Sequence, residues 1–92
     1  MILRFRHRGL ERLYLRGDTS GVSTQQVKRL RVVLAALATA SAPSDMALPG
    51  ARLHRLHGDR AGQWSVSISG NWRIVFEFEG QDVTNVDLVD YH

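Results

Sequence analysis

The chain has 92 residues, 43% of them hydrophobic, a formal net charge of +3 and no cysteine. That length holds one domain, residues 1–92, and the apolar content argues against a disordered chain. Without thiols there are neither disulfides nor thiolate zinc sites, and no apolar run approaches the ~20 residues of a membrane span or forms the apolar core of a signal peptide, so a soluble, cytoplasmic protein with no membrane partner is expected.

In chain order, Ile2 to Phe5 reads as a short first strand, with Ile2 and Arg4 on one side and Leu3 and Phe5 on the other. From His7 to Arg16, Leu10, Leu13 and Tyr14 recur at helical spacing, and Gly17 is a natural stop. Ser23-Thr24-Gln25-Gln26 has the form of a capping box, which predicts that a second helix starts there. Its stripe is Val27, Leu30, Leu34 and Leu37, widened by Val33 and Ala38, and it should run to about Ala40 and pack on a sheet. Ser41 to Gly50 holds both prolines and reads as a loop. Arg52 to His57 reads as a short strand, although Leu53 and Leu56 cannot share a face under strict alternation.

The best-patterned stretch is Gly58 to Phe78, a polar loop followed by a hairpin. From Gln63 to Ser69 the alternation places Trp64, Val66 and Ile68 on a core face and Ser65, Ser67 and Ser69 on a wet one. Gly70-Asn71 supplies the turn, after which Trp72, Ile74, Phe76 and Phe78 face the core and Arg73, Val75, Glu77 and Glu79 face away. In the last strand, Val83 to Tyr91, Val86 and Leu88 look buried. Parity then puts Asp90 and His92 on the core side and Tyr91 with Arg73 on the open side, so that either a bulge intervenes or the strand outruns its core. The pattern is β-α-α followed by an antiparallel meander, an α+β sheet with both helices on one face.

The charge is unevenly spread along this plan. Residues 1–60 carry eleven basic and four acidic side chains, and residues 61–92 one basic and five acidic. All the basic residues but Lys28 are arginine, whose planar fork matches phosphates and stacks on bases, so a nucleic-acid partner stands beside the plainer explanation of a solvated face. His54 and His57 lack a supporting carboxylate at metal-ligand spacing, and no phosphate-cradling glycine loop is present. The residues left to carry chemistry are His54, His57, Arg73 and the terminal Asp90-Tyr91-His92. Arg73 alternatively pairs with Glu77 or another acidic neighbour.

These stretches resemble the HigB branch of the RelE-like toxins of bacterial type II toxin–antitoxin systems. The likeness covers nearly the whole chain: FRHRGLERLY at the start, LHRLHGDRAGQWSVSI and GNWRIVFEF in the middle, and DLVDYH at the end. It implies an α+β, RelE-like fold with two N-terminal helices packed on one face of a mainly antiparallel four- to five-stranded sheet (β-α-α-β-β-β). It also implies a ribosome-dependent mRNA endonuclease that acts in the A site without a cofactor and is held inactive by a cognate HigA-like helix-turn-helix antitoxin. Carried over by position, the functional residues are His54, His57, Arg73, Asp90, Tyr91 and His92; the family pattern has lysine where this chain has His57. The same fold hosts ParE-like toxins that act on DNA gyrase and lack the nuclease residues, so a non-catalytic inhibitor is one alternative and a basic RNA-binding module another.

Overall fold

The amphipathic helices and the alternating hairpin meet as their patterns require in a computed structural model that describes residues 1–91. Helix α1 spans Arg8–Arg16 rather than starting at His7, because His7 is its N-cap: the His7 Nδ1 accepts from the Leu10 N–H at 3.1 Å. Gly17, at φ 67°, ends it in the left-handed conformation, its N–H reaching Leu13 O.

The expected capping box is not formed. Ser23 makes no side-chain cap bond, and the chain enters α2 (Val27–Thr39) through a 3-10 turn over Thr24–Gln26. The Gln26 amide instead donates to Ser69 Oγ at 3.0 Å, across the interface between helix and sheet. A buried amide requires a fixed partner, and this tertiary one outcompetes the local cap. Leu30, Val33, Leu34 and Leu37 form the buried stripe of α2, with Ala38 only half-buried beside it. In the loop that follows, Met46 is fully buried, and the Asp45 carboxylate accepts from the Ser41 and Ala42 N–H groups, which hold its pKa below the ordinary value.

Strands β1 (His54–Arg55), β2 (Trp64–Ser69), β3 (Trp72–Glu79) and β4 (Asp82–Asp90) form an antiparallel sheet in the order β1-β2-β3-β4. The expected strand over residues 52–57 shortens to two residues, which resolves the leucine conflict. Leu53 packs on the helix-side core, whereas Leu56, beyond the strand end and in phase with His54, is buried outside that core. The N-terminal segment lies parallel to β4 through isolated bridges of Ile2 to Val83 and Phe5 to Val86. Ile2 and Phe5 both pack inward while Leu3 is 45% exposed, so the predicted alternation gives way to an irregular edge.

Both helices cover the same sheet face. There Leu10, Leu13, Leu30, Leu34 and Leu37 meet Val66, Ile74, Phe76, Val86 and Leu88. Burying a side chain of this size contributes about 1.5–3 kcal/mol, which makes this layer the main source of stability.

Two irregularities set which residues look out of the other face. Between Ser67, paired with Arg73, and Ser69, paired with Trp72, Ile68 is an extra residue. Ser69 therefore turns to the helix side, away from Ser65 and Ser67, where Gln26 meets it. In β4 the register shifts opposite Val75–Glu77, and Asn85 takes φ 54°. That shift lets Val83 and Val86 both reach the core. Past it, alternation is regular: Leu88 pairs with Ile74, Val89 with Arg73 and Asp90 with Trp72. Asp90 is exposed, so the strand outruns its core at this end, and the bulge lies upstream. Of the terminal trio, His92 lies outside the described residues.

The serine face of β2 was expected to be wet, yet Ser65 is 0% exposed, and Val75 opposite it is 1% exposed. Neither belongs to the helix-side core; they mark a small second buried layer, to which Leu56 belongs by its phase.

Candidate active site

The outer face begins with a row of neighbours across the strands: His54 opposite Ser65, Ser65 opposite Val75, and Val75 opposite Asp87. The next row runs Ser67, Arg73, Val89. Cross-strand partners share a face, so His54 and Arg73 look out on the same side, one row apart.

Two contacts among the described residues hold Arg73 there. Its NH1 donates to Ser65 Oγ at 3.3 Å, and its guanidinium carbon lies 5.9 Å from the centre of the Tyr91 ring. Tyr91 is fixed in turn by its N–H, which donates to Asn71 O at 2.8 Å. Tied to the hairpin turn in this way, the penultimate residue is held at the end of the sheet. A guanidinium over an aromatic face is attracted to the ring by its quadrupole, while the edges of its fork stay available to an anion.

Glu77, the sequence candidate for an ion pair with Arg73, is engaged elsewhere. Its Oε2 accepts from Gln63 Nε2 at 3.2 Å and from Asn85 Nδ2 at 3.3 Å. Asp87 accepts from the Leu88 N–H. Among the described residues no carboxylate lies within ion-pair distance of Arg73. A half-buried guanidinium whose partners among the described residues are all neutral provides a local positive potential, and phosphate is its natural complement.

The two histidines stand together. Their ring centroids are 6.3 Å apart in an edge-to-face arrangement, and both side chains are exposed. Alternation alone would turn His57 away from His54. The chain leaves β1 after Arg55 and enters a 3-10 turn over Gly58–Arg60, with His57 as its N-cap residue, and this departure brings the rings together. Of the residues expected to act, the structure thus gathers His54, His57, Arg73 and Tyr91 on one face. Asp90 stands across from Trp72 and, by alternation, on the helix side of the sheet.

Ser65 is the participant that sequence reasoning undervalued. It was expected to line a wet face with a small hydroxyl; instead it is sealed and aims Arg73. The signal lay in its cross-strand position between His54 and the arginine strand. Ser65→Ala is expected to keep the fold and lower substrate cleavage about tenfold or more, since a hydrogen bond to a charged group contributes roughly 1.5–3 kcal/mol. Cleavage rates and thermal midpoints measured together check this; an unchanged rate would mean that the hydroxyl does not position Arg73.

The described residues contain no group of three or more His, Asp or Glu side chains placed to hold a metal ion. No helix among them is long and apolar enough to cross a membrane.

A helix pair on one side of a four-stranded antiparallel sheet, with a face bearing Arg73 and two histidines on the other, defines a small α+β protein of the RelE-like kind. The family model for the RelE-like toxin of the type II toxin–antitoxin system HigB matches residues 3–92, and the chain belongs to that family. It is also 41% identical, over 92 residues and the full length of both chains, to the endoribonuclease HigB of Proteus vulgaris. Membership implies an antitoxin partner.

Proposed function

We propose that this toxin is a cytoplasmic, ribosome-dependent endoribonuclease that cuts mRNA in the A site and is restrained by a HigA-like antitoxin. The endonuclease activity is supported by full-length likeness to a relative named for it. The observation that carries the proposal is Arg73, held by Ser65 and Tyr91 with no carboxylate partner among the described residues and one row from His54.

The reaction that suits these groups is metal-independent attack of a ribose 2′-hydroxyl on the adjacent phosphorus. His54 or His92 takes the 2′ proton as the new oxygen–phosphorus bond forms. A second member of the histidine cluster returns a proton to the 5′-oxygen as its bond to phosphorus breaks. The products are a 2′,3′-cyclic phosphate and a 5′-hydroxyl end. Arg73 stabilises the charge gathering on the phosphoryl oxygens, a preorganised electrostatic contribution that needs no rearrangement during the step. Tyr91, 40% exposed, offers its free face to a base, and Asp90 would orient His92 or touch a base edge. His57, where the family pattern has lysine, adds its charge when protonated. The arginines of the first sixty residues would contact ribosomal RNA phosphates.

A message carrying a single 2′-deoxynucleotide at the scissile position tests the chemistry. Cleavage there should fall to background while neighbouring positions are unaffected. Continued cleavage at the deoxy position would rule out attack by the 2′-oxygen.

A further inference from the structure

On the outer face of β3, past Val75, Glu77 joins separate parts of the chain. Its Oε2 accepts from Gln63 Nε2 at 3.2 Å and from Asn85 Nδ2 at 3.3 Å, and Gln63 Oε1 accepts from Arg60 NH1 at 3.3 Å. The Gln63 amide is thereby fixed in one orientation, oxygen toward the guanidinium and nitrogen toward the carboxylate. All four side chains are half-buried, where polar contacts meet less competition from water than at the open surface.

Asn85 reaches Glu77 through a departure from regular pairing. Glu77 pairs with Thr84 and Val75 with Asp87, so Asn85 and Val86 together oppose Phe76. Alternation from Val83, which is in the core, would turn Asn85 toward the helices; its left-handed backbone, φ 54°, instead lets the amide meet Glu77. Bulges of this kind are frequent beside active sites, where they re-aim a side chain. At the other end of the chain of bonds, Gln63 closes the loop that carries His57. Its carbonyl oxygen accepts from the Leu56 N–H at 2.9 Å, its N–H donates to Arg60 O at 3.0 Å, and the Arg60 N–H reaches His57 O at 3.4 Å. Among the described residues, the Gln63–Glu77 bond is the one side-chain hydrogen bond that ties this loop to β3. His57 stands at the start of the loop, its ring 6.3 Å from that of His54.

We infer that Gln63, Glu77 and Asn85 form a latch that holds the His57 loop against the sheet and so places His57 beside His54 for cleavage. The three act through the loop and are positioning residues. Asn85 steadies the carboxylate from β4, Glu77 holds the Gln63 amide, and Gln63 fixes the end of the loop whose beginning bears the ring. Glutamine at position 77 would keep an oxygen acceptor for both amides, whereas leucine would leave them without one. These two substitutions therefore separate the bonds from the shape of the side chain. The effect on rate rests on the proposed nuclease function, but the placement of the ring does not.

The test is a double-mutant cycle on the full-length protein. Glu77→Leu should slow single-turnover cleavage on ribosomes about tenfold, the order of cost of slightly misplacing an acting group, with the ribosome concentration at half-maximal rate unchanged. In a His57→Gln background the same substitution should cost no more than about twofold, since no ring is left to place. Glu77→Gln should recover most of the rate. Proton NMR without RNA reads the placement directly: a cross-peak between the His54 and His57 rings should be present in the parent protein and absent in Glu77→Leu. The His7 ring, held by the Leu10 N–H, should keep its chemical shift in both and so report an intact fold. Gln63→Leu breaks the same bond from the loop side and should reproduce both effects, which keeps the test valid if Glu77→Leu fails to fold. A parent-like rate in the folded leucine variants, equal losses with and without His57, or a cross-peak that survives both leucine substitutions would overturn the latch. A cross-peak that depends on Glu77 in a protein that cuts no message would leave the latch standing and remove the nuclease reading.

Discussion

Arg73→Ala is expected to lower mRNA cleavage on ribosomes by roughly 10²–10³-fold, the usual cost of removing one preorganised donor from developing charge. The size of the effect follows from the lack of a substitute. Arg73 is the sole basic residue between Arg60 and the C-terminal histidine, and its guanidinium is held over the outer face by Ser65 and Tyr91. Arg73→Lys should recover part of the loss, since an ammonium keeps the charge but not the fork. Because Ser65 and Val75 are buried on the face that Arg73 covers, the alanine variant should also lose a little stability, so rates must be compared at a temperature where both proteins are folded. A wild-type rate in Arg73→Ala, with the fold verified, would remove the phosphate-clamp role.

The second large effect is expected at the histidine pair. General acid–base groups contribute about 10²–10⁴-fold each, so His54→Gln should slow cleavage within that range while binding to ribosomes persists. His57→Gln should cost less if the ring acts by charge and position rather than by proton transfer. His57→Lys is the informative variant: a permanent cation beside His54 should hold activity within about tenfold of the parent protein. Since the rings are in contact, the double glutamine variant should lose less than the product of the single losses. Single-turnover cleavage measures all four. Equal, wild-type rates in His54→Gln and the double variant would transfer the proton chemistry away from this pair.

The parts of this site legible in the sequence were those governed by period. Alternation in the hairpin placed Trp72, Ile74 and Phe76 on one face and Arg73 on the other, and parity along the last strand placed Tyr91 with Arg73. Helix spacing likewise gave the stripe from Leu30 to Leu37. Illegible were the departures from period. A bulge adds one residue without altering composition, so nothing marked Ile68 as the point where Ser69 changes sides; at Asn85 only the residue type hinted at a positive φ. The capping box at Ser23 had the right residues, but the competing partner of Gln26 lies forty-three positions away, beyond the reach of local rules. The buried state of Ser65 depends on tertiary packing over the outer face, which alternation along one strand cannot reveal. Side-chain chemistry named the candidate residues; bulges and tertiary partners decide which of them meet.

Mapping the ends of mRNA after adding purified protein to a translating extract, beside a gyrase supercoiling assay, is the most direct test of ribosome-dependent cleavage. The expected result is new 5′-hydroxyl ends within the A-site codon of ribosome-bound message, none on the same message without ribosomes, and normal supercoiling. Inhibited supercoiling without new ends, or a ribosome-bound message left intact, would contradict it.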